Sequence, residues 1–399
     1  MPADTPANQV KSQRQAAKAG PGQNKSPAAT RRPSSNRRAD AILAAFMVAS
    51  SGSTPSPTRP ATRLTASSAR LILAGLAALL IAGLATRIPQ QPVSSTPEKG
   101  DAGFYQAVAR RLQGGEAYYS AYGTELRLRR YPAASTFNWR TPLLLHAYAT
   151  APRSASLLLI SLGALSILAT LLLLRKAPPE STVLGIVLQV GAASSVVIVN
   201  GSVTVPEVWL GYLLFGSILA YYRGWNVTAA IIGIGALFIR ELAAPYCIAC
   251  TLMALHHRRM AELGTWLAGV AAYTVYFGWH VMSVAAHSLP GDIAHQNSWI
   301  QFGGLPFVLG TMSFNGWFAV SQPWGPSIGL VLIIAAAWAR SAPIHLRVCC
   351  VTYAGFFSVA GQPFNQNWGL AASPAWAVAC AYGVSGLHRL IRSAKGPTG

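Results

Sequence analysis

Acidic side chains are scarce in this chain: 11 Asp and Glu among 399 residues, with charged residues of both signs making up only 11%. A soluble globular domain carries about 25% charged residues, so composition alone argues against that class. Cysteine is rarer still. The five present, Cys247, Cys250, Cys349, Cys350 and Cys380, all fall inside apolar runs. That placement argues against a disulfide scaffold, and the Cys247-x-x-Cys250 spacing reads as helix filling rather than a redox or metal pair. No zinc pattern, Walker loop or glycine-rich dinucleotide turn is present either.

What is abundant is apolar surface, with 52% hydrophobic residues and a mean hydropathy of +0.36. The start of the chain departs from this. Residues 1–70 hold eleven Lys and Arg against Asp4 and Asp40, among many Pro, Ser, Ala and Gln. Such a segment cannot bury a core, so residues 1–69 are expected to form a disordered basic tail in the cytoplasm. Its basic residues lack interleaved aromatics, which fits anionic headgroups better than nucleic acid. No secretory signal is expected, because the apolar run at residues 41–49 is short.

A helix needs about 20 apolar residues to cross the hydrocarbon layer. The candidate spans are residues 70–88, 154–174, 181–199, 207–222, 226–239, 242–256, 262–285, 323–340, 345–361 and 370–390. The expected fold is therefore an all-α polytopic membrane protein of about ten transmembrane helices. A transmembrane domain covers residues 70–392, and a short cytoplasmic tail covers 393–399. Segments 226–239 and 242–256 read as a hairpin turning at Arg240 and Glu241. Two apolar pieces, 141–151 and 303–320, are broken by Pro, Gly or Asn and read as re-entrant or interfacial.

With both termini inside, the inner loops collect Arg175, Lys176, Arg223, Arg258, Arg259, Arg340, Arg347, Arg389, Arg392 and Lys395. That is a strong positive-inside bias. The first outer loop, residues 89–153, goes against it: from Arg87 to Arg153 there are nine basic residues and four acids. An anionic ligand at the outer membrane surface would account for the excess. Most acids also fall on this side, and acids near a bilayer are functional candidates by default.

Within this loop, residues 100–142 form the longest polar interval. Asp101 opens it, followed by Phe104, Tyr105, Val108 and Leu112 at helical spacing, with Arg110 and Arg111 on another face and Gly114-Gly115 as a stop. An amphipathic helix along the outer surface is expected. Locally, Asp101 fits a helix cap as well as a catalytic acid.

The pattern Asp101-x-x-x-Tyr105, then Leu112-x-x-Gly115-x-x-Tyr118-Tyr119, follows a first span and opens an outer loop. It resembles the GT-C superfamily of integral-membrane glycosyltransferases, and within it the family-87 type that uses polyprenyl-phosphate mannose. Residues 137–142, Phe-Asn-Trp-Arg-Thr-Pro, sit where such proteins often carry a Pro-containing motif before a re-entrant helix. The resemblance covers the layout of residues 70–390. It implies a bacterial cytoplasmic-membrane enzyme that moves a hexosyl or pentosyl group with inversion, from a polyprenyl-phosphate donor to a lipid or glycan acceptor. It implies also that Asp101 is the general base. A sugar hydroxyl must lose its proton as the anomeric carbon opens.

The leaving lipid phosphate needs cations, for which Arg140 and Arg240 are the candidates. Arg240 beside Glu241 reads equally as a lone ion pair. Tyr105, Tyr118, Tyr119 and Trp139 suit sugar faces, though interfacial aromatic belts look the same. Asp292 and His295 are three apart in a later outer loop and would share a divalent ion if helical. Two ligands are a weak metal pattern, and no cofactor is expected. The last outer loop, with Asn365, Asn367 and Trp368, concentrates amides and a ring suited to sugar hydroxyls. The competing function is a multi-span transporter or lipid flippase. Such proteins more often show internal repeats and ionisable residues at mid-span. A third reading, an envelope-assembly scaffold, leaves the Arg- and Tyr-rich loop only protein contact as a role. Membrane lipids, but no nucleic acid, are the expected surroundings.

Overall fold

The computed structural model describes residues 64–88, 100–198, 202–294 and 301–396. Among them every regular element is a helix. Most of the expected basic tail lies outside the described residues. The first helix, α1 (Ala66–Ala85), begins slightly before the expected span because Thr65 caps it, accepting from the Ser68 amide at 3.1 Å. The polar stretch after α1 contributes α2 (Asp101–Gln113), α3 (Tyr118–Leu128) and α4 (Leu143–Thr150). Then come α5 (Pro152–Leu174), α6 (Pro179–Ile198), α7 (Pro206–Tyr222), α8 (Asn226–Ile239), α9 (Ala244–His256) and α10 (Met260–His287). The last third holds α11 (Gly304–Met312), α12 (Gly316–Val320), α13 (Trp324–Ala335), α14 (Ile344–Val359) and α15 (Ser373–Lys395).

Each apolar segment read as a span folds as helix, but their lengths differ. Helices α1, α5 and α10 are long and apolar enough to cross a membrane. A fourth span results if the 3-10 segment Pro363–Ala371 and α15, bent by 73°, are taken together. Helix α8 has 14 residues, about 21 Å at 1.5 Å per residue, against a hydrocarbon layer of roughly 30 Å. The outward faces carry a consistent chemistry. Leu71 on α1 is 74% exposed and Val275 on α10 is 76% exposed. Rows of apolar side chains with no protein over them suit lipid.

Packing centres on α15. From Ser373 to Gly383 it is buried without interruption, and α1, α6, α7, α13 and α14 all lie against it. Helices in lipid approach closely where side chains are small. A Cβ at Gly386 would sit 1.9 Å from the Ala335 carbonyl oxygen, so α15 meets the end of α13 backbone to backbone. The five cysteines are unpaired and buried in such helices.

The polar loop builds a second core. Phe104, Tyr105 and Val108 of α2 pack with Tyr118, Tyr119, Tyr122 and Leu126 of α3, and both helices lean on Trp209 and Tyr212 of α7 and Val284 of α10. Helix α2 ends at Gly114 and at Gly115, whose φ of 87° favours glycine. Helix α3 was not expected from the sequence, although Tyr118, Tyr122 and Leu126 follow the i, i+4 spacing of a buried face.

The segment Pro363–Ala371 is wedged between helices. A Cβ at Gly369 would fall 1.8 Å from the Thr311 carbonyl oxygen of α11. Gly369→Ala is therefore expected to lower stability by about 1–3 kcal/mol through overpacking. Gly75→Ala, where nothing lies within 4 Å, should leave it unchanged or slightly raised. Thermal unfolding of the two purified variants in detergent checks this. Equal melting temperatures would mean the close contact at Gly369 does not exist.

Candidate functional site

Asp101 is the first residue of α2, and Gly100 occupies the cap position without a side-chain hydrogen bond. Its carboxylate is thus not used as a helix cap. It instead meets residues that arrive from distant parts of the chain. Asn367 Nδ2 donates to Asp101 Oδ2 at 3.3 Å and to Glu207 Oε1 at 3.3 Å. Glu207 follows Pro206 at the start of α7 and has no exposed surface. Arg240 Nη1 contacts Glu207 Oε1, and Arg240 Nε faces Glu241 Oε1 at 3.5 Å. Arg240 is itself 1% exposed.

Local backbone explains how two opposite charges come together there. Helix α8 stops at Ile239, Arg240 is extended with φ −159° and ψ 138°, and a 3-10 turn at Glu241–Ala243 leads into α9. The break turns the Arg240 side chain away from its own helix axis and toward the first turn of α7. The expected turn at Arg240 and Glu241 is thus where the chain breaks. It also supplies the site's buried cation.

Arg140 forms the second cationic element. Its Nε donates to the Tyr105 hydroxyl at 3.1 Å, and its Nη1 donates to the Phe137 carbonyl. Its own carbonyl accepts from the Tyr118 hydroxyl at 2.7 Å. Burial works against the Arg140 charge, while the nearby carboxylates of Glu241 and Asp101 favour it. Burial pushes the Tyr105 hydroxyl up as well, so it stays neutral. Helix α4 begins one residue beyond Pro142, which occupies the cap position.

Asp101, Tyr105, Arg140, Arg240, Glu241 and Asn367 therefore belong to one constellation. Glu207 joins them. It is not among the candidates singled out from the sequence. The signal was legible: a Pro-Glu pair opening an otherwise apolar helix, where an acid needs a partner.

Other candidates serve the loop itself. Tyr118, Tyr119 and Trp139 are buried, and the Trp139 ring stacks on Tyr122 while its Nε1 donates to the Ala133 carbonyl at 2.8 Å. Tyr119 OH and His280 Nδ1 lie 2.9 Å apart, and His280 Nε2 lies 3.2 Å from the Trp139 carbonyl. This chain of contacts ties α3 and the 129–142 stretch to α10. Asn365 is buried, and Trp368 stacks on Phe356 at 6.2 Å. His295 lies outside the described residues. No group of three or more His, Cys, Asp or Glu side chains that could hold a metal occurs among the described residues.

Asp292 sits apart from this constellation, locked to Arg127. Arg127 Nε donates to Oδ1 at 2.7 Å and Nη2 to Oδ2 at 2.9 Å, while the Leu289 amide donates to Oδ2 at 2.9 Å. The Arg127 hydrogen bonds hold the Asp292 carboxyl below its ordinary value. A depressed carboxyl contributes stability above the unfolded value of about 4 and loses it as pH falls through the folded value. Asp292→Asn should therefore melt below the wild type at pH 7, and the gap should close on acidification below roughly pH 4. A gap that persists unchanged at low pH would show that Asp292 acts by something other than its charge.

Comparison with protein-family models, with curated proteins and with solved structures finds no match to this chain.

Proposed function

We propose that the protein is a membrane glycosyltransferase of GT-C type, moving a sugar from a polyprenyl-phosphate donor to a lipid or glycan acceptor at the outer face of the cytoplasmic membrane. The observation that carries this reading is the meeting of Asp101 with Arg140, Arg240, Glu207 and Asn367. Their carboxylates, guanidinium groups and amide are delivered by the loop after α1, the start of α7, the break between α8 and α9, and the last loop before α15. In the proposed topology ten helical segments cross or enter the bilayer, both termini are cytoplasmic, and all four of these regions lie outside.

The chemistry would run in one displacement. The Asp101 carboxylate takes the proton of the acceptor hydroxyl while that oxygen bonds to the anomeric carbon. The bond from that carbon to the phosphate oxygen breaks, and its electron pair leaves with the polyprenyl phosphate. Attack opposite to departure inverts the anomeric configuration. Arg140 is the cation suited to the leaving phosphate, since Arg240 is already engaged by Glu207 and Glu241. Arg140 is half-buried, and its partial shielding from water strengthens that interaction.

A transporter is the second reading, and the buried Glu207–Arg240 pair beside a helix break is what favours it. The two readings part on chemistry. Membranes carrying wild type should transfer radiolabel from polyprenyl-phosphate sugars, and Asp101→Asn and Asp101→Ala should insert normally yet lose about 10²-fold or more of that activity. Full transfer by either variant would remove Asp101 as the base. Labelled sugar-lipid that changes leaflet without transfer would favour the transporter.

A further inference from the structure

Asp101 is exposed, and an exposed carboxylate at a helix start swings freely unless something outside the helix holds it. The only described side chain seen to donate to it is Asn367, which donates at the same time to Glu207. Both acceptors are carboxylate oxygens. The amide can sit only with its NH2 toward them, because a flip would press its carbonyl oxygen against two anions. Each hydrogen of that NH2 is then assigned, one to each acid.

The far end of the bridge is rigid. Glu207 has no exposed surface and contacts Arg240, which Glu241 also approaches. Burying such a pair costs desolvation that its attraction barely offsets, so stability alone does not explain it. The bridging residue is rigid too. Asn367 sits between the buried residues Gln366 and Trp368, and Gly369 fixes the backbone against Thr311. A swinging carboxylate is thus joined through one amide to a buried frame.

We infer that Asn367 is a positioning residue that sets the direction of the Asp101 carboxylate from the buried Glu207–Arg240 pair. The inference rests on the glycosyltransferase reading and names what orients its base. With Oδ2 engaged by Asn367, Oδ1 is the oxygen turned to the acceptor hydroxyl. The amide is the fitting group for this position. A carboxylate would supply no donor and add a third negative charge, and a lysine would neutralise the base by pairing with it.

The test uses purified full-length protein in lipid, with radiolabelled polyprenyl-phosphate mannose as the donor probe and envelope lipid extract as acceptor. Wild type, Asn367→Ala, Asn367→Asp, Asp101→Asn and the Asp101→Asn/Asn367→Ala double variant are compared at matched folded concentration, checked by melting temperature. A misdirected base is expected to lower kcat by about 10²-fold in Asn367→Ala. The donor KM should stay within about twofold, because the donor phosphate is held elsewhere. Asn367→Asp should fall at least as far, and it decides the matter if the alanine variant does not fold. In the Asp101→Asn background the second substitution should cost nothing further, since there is no base left to orient.

Wild-type transfer with unchanged kcat in both Asn367 variants overturns the positioning role alone. So does an equal further loss in the Asp101→Asn background, which would mean that Asn367 acts independently. A wild type that transfers no mannose, and no other sugar from a panel of polyprenyl-phosphate sugars, overturns the glycosyltransferase reading and the role of Asn367 with it.

Discussion

A glutamate with no exposed surface can keep its charge only if a cation and donors are brought to it before the surroundings close. Glu207 imposes that requirement here. Arg240 meets it by breaking α8, Asn367 meets it from the loop before α15, and Glu241 balances the remaining side of the guanidinium. Three otherwise separate regions must therefore arrive at one point. The architecture around them is consistent with that need: α15 is packed on nearly every side, and the Pro363–Ala371 segment before it is pinned by the close approach at Gly369. The buried pair reads as a cost that the fold carries in order to place neighbouring groups.

The polar loop after α1 answers a different constraint. Forty residues of polar chain laid over a membrane domain would pay the entropy of ordering with little return unless they packed among themselves. Tyrosines solve this because each ring buries apolar area while its hydroxyl finds an acceptor. Tyr118 and Tyr122 donate to the carbonyls of Arg140 and Asn138, and Trp139 donates back to Ala133. The stretch carrying Arg140 is thus held by the same residues that form the loop's core. Glu116 and Glu125 are spent on Arg111 and Arg129 in the same way, and Asp292 on Arg127. Once those pairs are formed, Asp101, Glu207 and Glu241 are the acids among the described residues that gather around Arg140 and Arg240.

Much of this was legible in the sequence, for reasons that particular residues make clear. Helix type followed from apolar runs without strand alternation, and α2 followed from Phe104, Tyr105, Val108 and the Gly114-Gly115 stop. Asp101, Arg140, Arg240 and Asn367 were reachable because polar residues in an apolar chain are few enough to examine singly. What escaped was pairing across the chain. Nothing local distinguishes Asp292, closed by Arg127 from 165 positions away, from Asp101, met by Asn367 from 266 positions away. Tyr118, Tyr119 and Trp139 stay open in the same way, since a ring that packs a loop and a ring that faces a sugar share one sequence signature. The end of α8 at Ile239 was legible, because the apolar run 226–239 stops at the charged pair Arg240 and Glu241.

The most direct test is to locate where a donor sits. A polyprenyl-phosphate probe with a photoreactive group beside its phosphate, irradiated with the purified protein and mapped by peptide mass spectrometry, reports this without requiring turnover. The account predicts labelling at the stretch around Arg140 and at the Pro363–Ala371 segment, competed by unlabelled polyprenyl-phosphate sugar and weakened in Arg140→Ala. Labelling confined to the Arg258 and Arg259 turn or to the Arg389 and Arg392 end of α15, indifferent to Arg140, would place the lipid phosphate on the other side and contradict it.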